Sequence, residues 1–507
     1  MIQRFFITFV FIVCHVAMQG ADTLSVSRRA HLWHSDKPAI IRLAQNQPAL
    51  KQFLPLDRYT EISVNTTIQN NNSLHYHHQG DTHHTLGGEV VGYHKNDRNT
   101  LFGKAAYHRQ KEKYIRWSQV EDVHRLGPYI IADSTTGTRD YETYLLSGGL
   151  SHQTPAGTLG LSASYRAQSS YRTRDPRSYS IISDFKFTAG WALPVGRSNL
   201  AALSVTFGRY DQALNIKSYE EGRTDLIYFM YGFGYYNQNL SGSSDNYSTD
   251  YKGNNHALEF QFLPIQEEGW FLNTRYASET IDAAYSHRTR GSYKSTDLIL
   301  TSGYQWKTPA HQYRISLDAT HETGQGTEFY YETFIVDTIT ATTETQLLSK
   351  NQKFHKQYSS LSLKGKGWIT NNQWTIIPEL KSGILFHSSE YRTTPWKTAI
   401  NQLIIKPSVG IRKNHQQSIS TIDIATAWIT ATSNKLLVAE DNLIVQKTLL
   451  PDFQFRSANK FYTQLEAKHI QTMKNQNAWQ IKAGCKLLKA RGETATKVWL
   501  SLGLVLF

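Results

Sequence analysis

The densest set of possible ligands in the chain is Leu74-His75-Tyr76-His77-His78-Gln79-Gly80-Asp81-Thr82-His83-His84, with five imidazoles and one carboxylate. Neutral imidazole is a common ligand for transition metals, and a loop can fold several rings onto one ion. His75, His77, His78, His83 and His84 are therefore candidate metal ligands, with haem capture as related chemistry. In an extended chain His75 and His77 would project from one face. The alternative is a polar loop whose histidines are solvated, because no fixed spacing of the zinc-finger kind accompanies them. Neither alternative makes a cofactor a requirement.

Nucleophilic catalysis finds less support. His387-Ser388-Ser389-Glu390 brings suitable residue types together, but neighbours on a strand point to opposite faces. The chain has no Gly-x-Ser-x-Gly elbow, phosphate loop or His-Glu-x-x-His motif. We expect no enzyme; hydrolysis of lipid or peptide is the residual alternative. The two cysteines, Cys14 and Cys485, cannot build a zinc or iron–sulfur centre.

The elements that must position these residues show one repeated pattern from about residue 58 onward, apolar and polar side chains alternating at period two. Leu403, Ile405, Pro407, Val409 and Ile411 oppose Lys406, Ser408, Gly410 and Arg412. Leu159, Leu161, Ala163 and Tyr165 oppose Gly160, Ser162, Ser164 and Arg166, and Leu361 and Leu363 oppose Ser362, Lys364 and Lys366. Short turns at 95–99, 154–157, 194–198, 265–269, 307–311, 370–373, 413–417 and 474–477 take turns with longer connections at 113–138, 215–253, 323–354 and 433–451. That asymmetry defines an all-β fold, a transmembrane antiparallel β-barrel of about eighteen strands with short periplasmic turns and long external loops. Trp191, Trp270, Trp306, Trp368, Trp374 and Trp479 lie close to the short turns, as an aromatic belt at one membrane interface would.

The excess of 54 basic over 41 acidic residues is then not a nucleic-acid signal. Lys364, Lys366, Lys406, Arg412, Lys482 and Lys486 fall on polar strand faces and would line a lumen beside Asp184, Glu259, Asp297, Glu379 and Glu466. Paired charges would fill the interior, and a cationic surplus would favour anions. Tyrosines and phenylalanines across 219–251 and 329–334 fit an external aromatic girdle, with a ligand surface as the alternative. The segment from Trp117 to Tyr129 is expected to fold over or into the lumen.

The ends complete the outline. Arg4 precedes an apolar run from Phe5 to Val13 that gives way to polar residues, so 1–21 is expected to be a cleaved signal peptide and 58–507 the barrel. The final strand closes on Phe507, and in this the chain resembles Gram-negative outer-membrane β-barrel proteins, whose terminal Phe is read by the barrel-assembly machinery. The leucines of this strand occupy the register opposite to Phe507, which leaves both of its faces apolar. Residues 22–57 do not alternate, and Pro38-Ala39 and Pro48-Ala49 resemble the Asn-Pro-Ala turn in the lumen hatch of long-chain fatty-acid transporter-like barrels, without its Asn. A periplasmic tail or a simple lumen helix is the alternative. TonB-dependent receptors need a larger plug than 22–57 provides and a 22-stranded barrel.

The resemblance implies localisation in the cell outer membrane, lipid and the assembly machinery as partners, and no nucleic acid. The leading expectation is a channel or transporter for a small hydrophobic or amphipathic molecule. The alternative is a surface protein whose external loops bind a metal, haem, glycan or protein, such as a surface lipoprotein or receptor partner, with the barrel as anchor. The topology predicts that cysteine-labelling reagents applied to intact cells reach positions near 120, 240 and 340 but not 155, 309 or 475; labelling of the short turns from outside would reverse the orientation.

Overall fold

The structure, a computed structural model, describes residues 43–506 except 45, 221–225, 244–245, 267, 338–341 and 474–476. The expected signal peptide, Pro38, Ala39 and Phe507 lie outside the described residues.

Eighteen strands form one antiparallel sheet. In chain order they are β1 (Arg58–Asn70), β2 (Thr82–Lys95), β3 (Asn99–Ile115), β4 (Gly137–Thr154), β5 (Gly157–Arg172), β6 (Arg177–Val195), β7 (Asn199–Lys217), β8 (Asn246–Pro264) and β9 (Gly269–Tyr285). Then follow β10 (Arg288–Lys307), β11 (His311–Asp337), β12 (Thr342–Asn371), β13 (Trp374–Tyr391), β14 (Lys397–Asn414), β15 (Ser418–Leu437), β16 (Lys460–Thr472), β17 (Ala478–Ala490) and β18 (Glu493–Leu506). β18 pairs with β1 from Thr60↔Leu506 to Asn70↔Thr496, so the sheet closes without an edge.

The pleat sorts side chains as the alternation requires. Leu161, Leu363, Val409 and Ile411 stand on the outer wall with 45 to 55% exposure, an apolar exterior suited only to lipid. The protein is an integral outer-membrane barrel. On the inner face Lys364 and Lys366 pair with Glu379 at 3.2 and 3.3 Å, and Lys482 pairs with Glu466 at 3.1 Å. In β18, Val498, Leu500, Leu502 and Leu504 face outward while Val505 is buried inside.

Three expectations need correction. Trp191, Trp270, Trp374 and Trp479 are exposed near the short turns, whereas Trp368 is fully buried in the lumen, where Arg314 and Lys366 lie over its ring. Residues 323–354 are not a loop: the ladder between β11 and β12 runs on to Asp337↔Thr342, making a hairpin that carries exposed Ile335 and Leu348. The runs of Thr, Tyr, Phe and Ile in this stretch suit extended chain. The aromatics of the 218–245 connection do not form a girdle, because Phe229, Tyr231 and Phe233 are buried inside the mouth of the barrel. Val120 is buried there too, so position 120 should label from outside far less than position 240.

Because one face meets lipid and the other the lumen, Leu363→Arg should cost about 2–4 kcal/mol near the bilayer midplane, and Ser408→Arg should be tolerated. Urea unfolding in lipid vesicles measures both; equal destabilisation would contradict the assignment of faces.

Candidate functional site

An eighteen-stranded barrel is too wide for side chains alone to fill, and segments of the chain enter it from both ends. At the short-turn end, residues 46–56 lie inside, with a 3-10 helix at Pro48–Phe53. Thr100, Ser151, Gly160 and Gly190 pair across four adjacent strands and form its seat. Thr100 donates to the Gln52 side chain and Ser151 donates to the Pro48 carbonyl at 2.5 Å. A Cβ on Gly160 would stand 2.2 Å from the Ala49 nitrogen, and one on Gly190 would stand 2.0 Å from Gln47 Oε1. The two glycines are thus the space in which the segment rests. Leu43, Leu50 and Leu54 complete an apolar seal with Tyr59, Leu200, Phe271, Ile470 and Val505.

At the opposite end, residues 116–136 turn inward through α1 (Val123–Leu126). Ile131 and Ala132 pair with Phe229 and Tyr228 of the inner strand Leu226–Gly232. Their apolar side chains pack against Tyr210, Leu214, Ile216, Tyr251 and Tyr293 on the wall. Charge fixes the position of the plug. Arg125 reaches Asp184 at 2.7 Å and Glu279 at 2.5 Å while lying over the Tyr210 ring at 4.1 Å. Asp133 meets Arg172 at 2.6 Å with both side chains fully buried. A smaller cluster packs Leu74 and Phe455 against Leu488 and Ala490 of β17 and Ala495 of β18.

Two of the cavities in the barrel bear on its chemistry. The first, about 660 Å³, lies along the inner face of β1 and β16–β18. Lys468, Lys482, Lys486 and Lys497 line it against Glu61 and Glu466, leaving two more positive than negative charges. The second, about 200 Å³, lies in the mouth among Val123, Ile130, Met230, Phe233 and Phe354, with His77, His78, His124, His387, Asp452 and Arg456 as its polar lining.

The mouth cavity collects part of the histidine loop. His77 Nδ1 is 2.8 Å from Asp452 Oδ2, and the His77 backbone N–H donates to Asp452 Oδ1 at 2.7 Å. Asp452 lies on α3 (Leu449–Ser457), which follows α2 (Leu443–Lys447). One ligand atom each from His77, His78 and Asp452 lies within 4.8 Å of the others. Burial, reinforced by the charge of His77, lowers the His78 pKa to about 3, so this ring is neutral. Burial pushes the Asp452 carboxyl up, but His77 outweighs it and holds the acid below its ordinary value. Burial first, then Lys356 and Arg456, also lowers His124.

The other three histidines are placed elsewhere. His75 is held by Asp81 at 2.7 Å, and His83 faces Glu112 at 3.4 Å and the Gly80 carbonyl at 3.0 Å. His84 stands exposed in β2, on the outward face with Leu86. The 71–81 connection is folded, with Leu74 N donating to Asn71 O and Gln79 N to Tyr76 O, so His75 and His77 do not share the face an extended chain would give them. Sequence reasoning missed Asp452, His124 and Arg456, and no local signal marks them. Of the proposed hatch residues, Pro48 and Ala49 are buried in the helix seated on Gly160.

Fold and filling together define a plugged outer-membrane β-barrel. The chain belongs to the family of unknown function DUF6850, whose model matches residues 48–506. No curated protein matches it. Solved structures it is similar to include the ferric preacinetobactin receptor BauA from Acinetobacter baumannii, at 8% identity and a TM-score of 0.40 over 88% of this chain and 80% of that one. The ferric yersiniabactin uptake receptor FyuA from Yersinia pestis gives 10% identity and 0.38 over 89% and 80%. The copper transporter OprC gives 6% and 0.40 over 89% and 81%. Scores of this size carry no inference about ligand.

Removing one member of a buried ion pair typically costs about 3–5 kcal/mol because its partner keeps an uncompensated charge. Arg125→Ala leaves Glu279 without its cation and Asp184 with only Arg166 at 3.7 Å, so the 116–136 plug should loosen. Intact cells carrying this variant should label more strongly at a cysteine placed at 120 than cells carrying the same cysteine without it; unchanged protection would show that the ion pairs do not hold the plug.

Proposed function

We propose that the protein is a gated outer-membrane transporter for a small amphipathic molecule with an anionic group, and not an enzyme. The observation that carries this is the lysine-lined cavity on the inner wall of a barrel into which segments of the same chain fold from both ends. A bare anchor has no use for a cationic cavity on its lumen wall, and a passive pore would not carry segments folded into it. The mouth cavity offers Val123, Ile130, Met230 and Phe354 to an apolar body and Arg456 to a polar end. Below it, surplus positive charge favours an anion over a cation. The position of Pro48 and Ala49 within the lumen supports the likeness to fatty-acid transporter-like hatches.

The second reading, a surface protein docking a lipoprotein or other partner, draws on the projecting β11–β12 hairpin with Ile335 and Leu348 exposed. Planar-bilayer conductance separates the two. The parent protein should conduct little. Deleting 22–57, or introducing Gly160→Leu with Gly190→Leu to evict the 3-10 helix, should raise conductance and give an anion-selective reversal potential in a KCl gradient. Heat-modifiable migration on gels checks that each variant keeps its barrel. A folded variant that stays closed, or that opens with cation selectivity, would overturn the transporter reading and favour the anchor.

A further inference from the structure

We infer that His77, His78 and Asp452 form a binding site for one divalent transition-metal ion, open on one side to the mouth cavity. Gating by the plugs needs no metal, so this inference stands apart from the transport reading.

Three observations converge. The first is geometric: one ligand atom from each of the three residues lies within 4.8 Å of the other two. Around an ion with ligand bonds of about 2.0–2.1 Å, tetrahedral neighbours sit about 3.4 Å apart. Closing the set therefore asks the separations to shorten by no more than about 1.4 Å. The second is an unsatisfied ring nitrogen: His78 Nδ1 is buried with no hydrogen-bond partner. A polar atom in that state is costly to hold, and a metal ion would satisfy it. The third is preorganisation. Asp452 accepts from the His77 backbone at 2.7 Å, which fixes carboxylate and ring side by side. His78 is braced by the parallel Tyr76 ring at 5.7 Å and by the edge of His124 at 5.2 Å.

Two nitrogen donors and one carboxylate suit zinc or copper and not calcium or magnesium, which take oxygen ligands. Three protein ligands also leave a coordination position free, and here it faces the cavity. Arg456 lines the same cavity, its guanidinium over Tyr76 at 5.5 Å and 3.0 Å from His387 Nε2. Its charge opposes a bare cation but suits an anionic group completing the coordination of the bound ion.

The test uses the purified, metal-stripped full-length barrel titrated with zinc or copper chloride, by calorimetry and, for copper, electron paramagnetic resonance. One ion per barrel and hyperfine coupling to two nitrogens are expected. His78→Ala and Asp452→Asn should each weaken binding by about 100-fold or more. His84→Ala, on the outer wall, should leave binding unchanged. Unaltered heat-modifiable migration shows that a variant is folded. Parent-like affinity in folded His78→Ala and Asp452→Asn, loss of binding in His84→Ala, or a response to haem alone would each overturn the assignment. None of these readouts depends on conductance, so the metal site and the transporter reading fail or stand separately.

Discussion

Closure of β18 on β1 is the constraint from which the rest follows. In a bilayer each backbone N–H and C=O must find its partner within the protein, and the continuous register from Thr60↔Leu506 to Asn70↔Thr496 removes the last edge. Closure also fixes the pleat, so that a residue's parity decides whether it meets lipid or lumen. Eighteen strands then enclose more space than inward side chains occupy. Either water or chain must fill the remainder, and residues 46–56, 116–136 and 226–243 do much of it.

The two seals are built on different physics. The helix Pro48–Phe53 sits on bare backbone at Gly160 and Gly190 and is tied by a few neutral hydrogen bonds, such as Tyr93 to the Lys51 carbonyl at 2.8 Å. The outer plug is bound through ions: Arg125 between two carboxylates, Asp133 on Arg172, and Arg139 on Glu121 at 3.3 Å. Breaking any of these strands a charge away from water, whereas neutral hydrogen bonds can be exchanged for bonds to water at small net cost. The inner seal is therefore the easier one to release.

This division explains what the sequence made legible. Alternation at Leu403–Ile411 and Leu159–Tyr165 exposes the strand faces, and the short turns give the strand count, because both are local consequences of the pleat. The Lys364–Glu379 and Lys482–Glu466 pairs follow from the same parity. What fills the barrel was harder to see. The connection from Trp117 to Tyr129 could be expected inside, but Tyr228 to Phe233 carry the same residue types as an interfacial girdle, and composition does not record which way a loop turns. Trp368 sits near a short turn like its counterparts, yet parity places it over Arg314 in the lumen. The histidine loop announced its ligands, but only the fold brings Asp452, 375 positions away, against His77 and leaves His84 on the opposite face.

The meeting of His77 and Asp452 has a further consequence from its place in the barrel. The connection carrying His77 follows β1, and α3, which carries Asp452, precedes β16. Between them stand β16, β17, β18 and β1, the strands whose inner faces line the lysine chamber. The contact therefore spans the outer end of that one wall, and the apolar packing of Leu74 with Phe455 lies beside it. Neither element is held there by a ladder of the barrel. Their mutual attachment is through side chains, chiefly the two bonds between His77 and the Asp452 carboxylate. Whatever binds those groups in the mouth cavity thus acts on the contact that joins the two elements across this wall.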